Sequence, residues 1–89
     1  MTREQLQSAA ASLRDAADVA TDPNAASRLQ DQADQFDALA TADRGPDHGR
    51  LARHEHILTE ITDEEPDAAE KIESALESIR AYRATIEGV

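Results

Sequence analysis

From Leu6 onward, apolar residues recur at steps of three and four: Leu6, Ala9, Leu13, Ala16 and Ala20. At about 100° per residue these positions share one side of a helix. Thr2, with Gln5 three residues on, has the spacing of a capping box, so the first helix is expected to open there. Asp22-Pro23 pairs a capping carboxylate with a first-turn proline and opens a second helix. Its inner face reads Ala26, Leu29, Ala33, Phe36 and Ala40, with Leu39 beside it. Gly45-Pro46 is its expected stop, the glycine taking the left-handed conformation that ends many helices and the proline unable to continue. Asp47 can cap a third helix with Leu51, His54, Leu58 and Ile61 inward and Ile57 at the flank. Glu65-Pro66 restarts the chain. A fourth helix then buries Ala69, Ile72, Leu76, Ile79, Tyr82 or the stem of Arg83, and Ile86, stopping at Gly88.

Connections of about two to five residues make consecutive helices antiparallel neighbours. The expected architecture is all-α: one domain, 1–89, folded as an up-down-up-down four-helix bundle of two hairpins, 2–45 and 47–88. The hairpins look related. A shift of 43 residues lays Pro23, Ala25, Ala26, Arg28, Leu29, Phe36 and Gly45 on Pro66, Ala68, Ala69, Lys71, Ile72, Ile79 and Gly88. A shift of 45 lays Thr2, Leu6, Leu13 and Ala16 on Asp47, Leu51, Leu58 and Ile61. Alanine-rich helices with a first-turn proline also converge on such a pattern unaided.

Composition pulls against this picture before it supports it. Leu, Ile, Val and Phe number only fifteen of 89 residues, and the formal charge is -10, a combination typical of disordered chains. Eighteen alanines, with only three prolines and three glycines, tip the balance to folded helices, since alanine has the best helix propensity and lets helices pack closely. The core is nevertheless thin. The first two helices offer mostly alanine, and all five isoleucines lie in the last two. Pairing of two chains would bury more apolar area per residue, so a homodimer is expected.

The charge has a particular make-up: ten Asp and nine Glu against eight Arg and a single Lys. An acidic, lysine-poor surface suits a cytoplasm with molar salt, where a screening length of roughly 3 Å suppresses carboxylate repulsion. The same acidity disfavours broad binding to nucleic acid or anionic membrane. No cysteine means no disulfide and no thiolate metal site. With no long apolar run, and an opening Met-Thr-Arg-Glu-Gln that reads as no signal peptide, the expectation is a soluble cytoplasmic protein.

Candidate chemistry concentrates in one passage, DRGPDHGRLARHEH, Asp43 to His56, which holds all three histidines and three of the nine basic residues. His54 and His56 point about 160° apart on a helix, with His48 about 120° from His54 and about 80° from His56, so the three cannot close on one metal by themselves. His54 is expected at the core edge, bonded to a carboxylate or carbonyl of a neighbouring helix, with His56 solvated and His48 serving a cap or an anion. No nucleophilic triad or phosphate loop is legible, and no catalytic residue, cofactor or metal is assigned. Topology supplies the sharper idea. The termini and the turn between the second and third helices share one end, which would gather Arg3, Arg44, His48, Arg50, Arg53 and Arg83. The far end gathers Asp18, Asp22, Asp63, Glu64, Glu65 and Asp67. The basic end could bind a phosphate-bearing ligand or an acidic partner surface, helped by the exposed amides at the start of the third helix. Against that, Arg44, Arg50 and Arg53 could simply pair with Asp43, Asp47, Glu55 and the acidic helices.

Asp43–His56, followed by an acidic helix ending in IRAYRATIEGV (Ile79–Val89), resembles a family of small acidic helical proteins of unknown function found in haloarchaea. The resemblance implies a halophilic cytoplasmic helical protein and adds no activity, ligand or catalytic residue. The expected role is a non-enzymatic interaction or structural bundle acting through protein–protein contacts. The alternative is a binder of phosphate or another anion at the basic end.

Overall fold

The computed structural model describes residues 2–86. Over them the chain forms α1 (Glu4–Val19), α2 (Pro23–Thr41), α3 (His48–Glu64), a 3₁₀ turn (Pro66–Ala68) and α4 (Ala69–Arg83), with no strand among the described residues. The radius of gyration is 12.3 Å, against about 12 Å for a compact chain of this length. The alanine and periodicity argument for a folded bundle therefore outweighs the low aliphatic content.

Two of the expected caps are in place. Asp22 Oδ1 accepts from the Asn24 amide at 3.2 Å, and Asp47 Oδ1 from the Arg50 amide at 2.8 Å. The start of α1 differs from expectation. Thr2 lies outside the helix, Arg3 holds the cap position and no side chain caps it. The reason is long-range. The Arg3 amide donates to the Ala40 carbonyl at 2.9 Å, and its Nη1 donates to the carbonyls of Leu39 and Ala42 at 3.1 and 2.7 Å. The chain entry is thus drawn against the end of α2, and the guanidinium satisfies carbonyls that a helix terminus leaves unpaired.

The stop of α2 is also corrected. It ends at Thr41, Ala42 turns extended, and no described residue has a positive φ, so Gly45 is not a left-handed cap. Gly45 is needed for space: a Cβ there would sit 2.7 Å from the Tyr82 hydroxyl and 2.8 Å from Arg3 Nε. The connection Ala42–Asp47 is six residues, one longer than expected, and tucks Pro46 into the interior.

Twenty buried apolar residues form one cluster drawn from all four helices and the 3₁₀ turn. Leu6, Leu13, Leu29, Phe36, Leu51, Leu58, Ile61, Ile72 and Ile79 are its fully buried bulk. α1 lies between α2 and α4, packed through Ala9, Ala10, Ala16 and Ala17, whose small side chains let backbones approach. α3 stands off α2, kept apart by larger groups. At the starts of the second and fourth helices the innermost alanines are Ala25 and Ala68, with Ala26 and Ala69 only half-buried. Ala25 lies about 40° around the helix from Leu29 and Ala26 about 60°, while Ala68 belongs to the tighter 3₁₀ turn, which shifts the phase. α4 ends at Arg83, short of the expected stop at Gly88, which itself lies outside the described residues, and Ile86 packs partly buried against the core from beyond the helix.

Burial follows the proposed shifts. Ala25 and Ala68, Leu29 and Ile72, and Phe36 and Ile79 are buried pairs, as are Leu6 and Leu51, Leu13 and Leu58, and Ala16 and Ile61. Val19, 44% exposed, is the single exposed large hydrophobic among the described residues. Among the described residues, no helix is long and apolar enough to cross a membrane.

The end opposite the termini is closed by one carboxylate. Glu65, 3% exposed, accepts from the Thr21 amide and hydroxyl, both at 2.7 Å, and from the Asp22 amide at 3.3 Å. It ties the two far turns together. The amide and hydroxyl of Thr21 hold its pKa below that of an ordinary carboxylate, against the opposing effect of burial. Glu65 is therefore a structural anchor, not part of a solvated acidic tip.

Candidate functional site

The termini and the α2–α3 connection do meet at one end, but the expected cluster divides there. Arg3 is spent on the α2 carbonyls. Arg83 donates from Nε to His48 Nδ1 at 3.1 Å and from Nη1 to Glu55 Oε2 at 2.7 Å, and Arg80 takes the other Glu55 oxygen at 3.2 Å. Glu55, mostly shielded, thereby clamps α3 to α4, and His48 accepts a hydrogen bond instead of serving a cap. Elsewhere Arg14 pairs with Asp34 and Asp37, and Arg28 with Glu64. Five of the eight arginines are thus engaged. Among the described residues, Arg44, Arg50 and Arg53 make no side-chain hydrogen bond or ion pair, so the expected pairing with Asp43, Asp47 and Glu55 does not form.

Arg50 and Arg53 face a cleft of about 490 Å³ between α2 and α3. Asp47, Arg50, Arg53, His54 and Ile57 line it from one face of α3, with Gly49 at its edge, and Gln32 and Gln35 line it from α2. Steps of three and four residues put the α3 side chains on one stripe. The cleft exists because of what separates the two helices. Phe36 fills the core beneath, its ring centroid 4.7 Å from that of His54 and tilted at 56°. His54, 4% exposed, bonds through Nδ1 to Oε1 of Gln32, itself 6% exposed, at 2.6 Å. This is the core-edge histidine expected from the pattern, with an amide carbonyl as its partner. Gln32 was not anticipated: a glutamine beside Ala33 reads as surface until a histidine is known to face it.

The pairing fixes the ring. An amide oxygen only accepts, so Nδ1 carries the proton and Nε2 keeps a lone pair. Burial, with the positive charges of Arg50 and Arg53, holds the ring's proton affinity below that of an ordinary histidine, so it is neutral near pH 7. Nε2 has no protein partner among the described residues, yet no buried side-chain nitrogen or oxygen there lacks one, so Nε2 is not sealed off. His56, by contrast, is exposed and reaches Glu60 at 2.8 Å. The three histidines serve three different neighbours. No group of three or more His, Asp or Glu side chains among the described residues could hold a metal ion.

A family model described as a family of unknown function, DUF7553, matches residues 1–85. The chain belongs to DUF7553. No curated protein and no solved structure matches it. For this DUF7553 member the match carries no activity, and the cleft has to be judged on its chemistry: two unpaired guanidiniums, one neutral imidazole with a free lone pair, two amides and one carboxylate. That set can neutralise and orient an anionic group.

Proposed function

We propose that this DUF7553 protein is a non-enzymatic interaction module, and that the α2–α3 cleft receives an acidic group of a protein partner. One observation carries the reading. In a chain of formal charge -10, where most arginines find a carboxylate or carbonyl, two that could have done so are left unpaired on the wall of a concave cleft. Guanidinium groups recognise carboxylate and phosphate in two-point geometry, and are enriched at interfaces for that reason. The rest of the surface is acidic and would repel an acidic partner everywhere else, which favours one docking orientation.

The halophilic, cytoplasmic setting belongs to the same proposal, supported by nineteen acidic residues against one lysine. In molar KCl the general repulsion is screened, whereas a close ion pair in a partly desolvated cleft is screened less. Helical circular dichroism followed through thermal melting should show Tm rising steeply from dilute buffer to molar KCl. A flat response removes the halophilic part. The interaction itself is tested by capture from native high-salt extract with wild type and with the double variant Arg50→Gln/Arg53→Gln. Loss of the same partner band from the double variant supports the cleft, and equal capture by both proteins rejects it.

A further inference from the structure

Resting on the reading of the cleft as the contact surface, we infer that the group it receives is a tetrahedral dianion, a phosphate monoester by chemical class, held by Arg50, Arg53 and a proton taken up on Nε2 of His54.

Gln32 Oε1 can accept from Nδ1–H whether the ring is neutral or protonated, so a second proton can be added at Nε2 without disturbing the buried bond at 2.6 Å. In the empty cleft that proton is disfavoured first by burial of the ring and then by the positive charges of Arg50 and Arg53 on its own helix. Asp47, which also lines the cleft, is the one negative group there and acts the other way. α2 faces the ring with uncharged Gln32, Gln35 and Phe36, and the α4 arginines near α3, Arg80 and Arg83, are already held by Glu55. A dianion reverses the balance. Two guanidiniums and an imidazolium match the two charges of the anion plus the one on Asp47, so the filled cleft is neutral with the proton and short of one positive charge without it.

A carboxylate does not have this property. With a single charge it is balanced by the two arginines and Asp47 alone, leaving the neutral ring no reason to protonate. Three donors converging from positions i, i+3 and i+4 of one helix face also suit three oxygens of a tetrahedron better than two oxygens in a plane. The binding step is protein, dianion and one solvent proton giving the complex; no bond is made or broken elsewhere.

The test uses sulfate first, because it keeps its double charge across the pH range. Titration followed by amide and imidazole NMR should move Gln32, Gln35, Arg50, Arg53 and His54. Affinity should tighten by about tenfold between about pH 8 and about pH 6, as expected for uptake of one proton at a histidine. The His54 ring, titrated alone and with saturating sulfate, should take its proton at higher pH when sulfate is bound. Arg50→Gln/Arg53→Gln, which removes no hydrogen bond or ion pair among the described residues, should weaken binding at least about tenfold. A phosphoserine peptide and a nucleoside monophosphate then separate a modified protein from a small metabolite as the source, and the tighter of the two identifies it. Acetate binding as strongly as sulfate, pH-independent sulfate affinity, or an unmoved His54 ring would each overturn the inference. If sulfate fails but Arg-dependent partner capture persists, the interaction reading survives without the phosphate. If sulfate binds but capture ignores the arginines, the reverse holds.

Discussion

The two seams that α2 forms are made differently. Against α1 it packs closely, with Ala25, Ala33 and Ala40 of α2 and Ala9, Ala10 and Ala16 of α1 all buried. Against α3 its Gln32 and Phe36 meet His54, and the helices part to leave the cleft. The same helix thus supplies rigidity on one side and a polar recess on the other. In a chain with so little aliphatic bulk, the alanine seam gives the bundle a firm frame. The wider seam is where the fold has room to present side chains to something else.

The contrast can be broken first on the close side. Ala10→Leu adds bulk where no space exists and should destabilise by roughly 1–3 kcal/mol, a large share of the stability of so small a domain; urea unfolding measures it. Gln32→Leu comes next. It leaves the Nδ1–H of His54 buried without an acceptor, at a cost of about 1–3 kcal/mol. Adding His54→Leu should recover part of that loss, because removing both partners is less harmful than orphaning one. If the double variant is no better than the single, the pair is not coupled as described.

Acidification gives a smaller and stepwise effect, best read in molar KCl, where relief of general repulsion does not mask it. His54 binds its proton less readily folded than unfolded, so its contribution is complete above its ordinary pKa of 6.5 and fades as pH falls below that value. Glu65 is likewise depressed, so its contribution is present above 4.5 and is lost only as pH falls further, through its lower folded value. Melting curves should show the first step abolished by Gln32→Leu/His54→Leu and the second by Glu65→Gln. Smallest of all is Gln35→Leu on the cleft wall, expected within about 0.5 kcal/mol of wild type. A large loss there would mean that the cleft is not open.

Much of the fold was legible because periodicity and punctuation are local. The Asp22 and Asp47 caps, most of each inward stripe and the placement of His54 follow from residues three or four apart, while Ala26 and Ala69 give way to Ala25 and Ala68 as the innermost alanines. What escaped was set by partners distant in sequence. Thr2 has the spacing of a cap, but Arg3 is pulled to the carbonyls of Leu39 and Ala42, and local spacing cannot see that. Gly45 reads as a left-handed stop, and its actual service is to make room for Tyr82 and Arg3. Glu65 reads as one more surface acid until Thr21 is brought beside it. The arginines of the candidate site were visible as a group, but which of them stay unpaired depends on Glu55 choosing Arg80 and Arg83.

Glu65 carries one more consequence, and it concerns time. Its hydrogen bonds join residues 44 and 43 positions apart in the chain, so they can form only once both hairpins are in place and the far turns have met. Such a contact is expected to form after the rate-limiting assembly of the helices and to act as a latch on the finished bundle. Glu65→Gln should accordingly speed unfolding several-fold while leaving the refolding limb of a chevron plot nearly unmoved. The persistence of the native state, more than its rate of arrival, would rest on a single buried carboxylate.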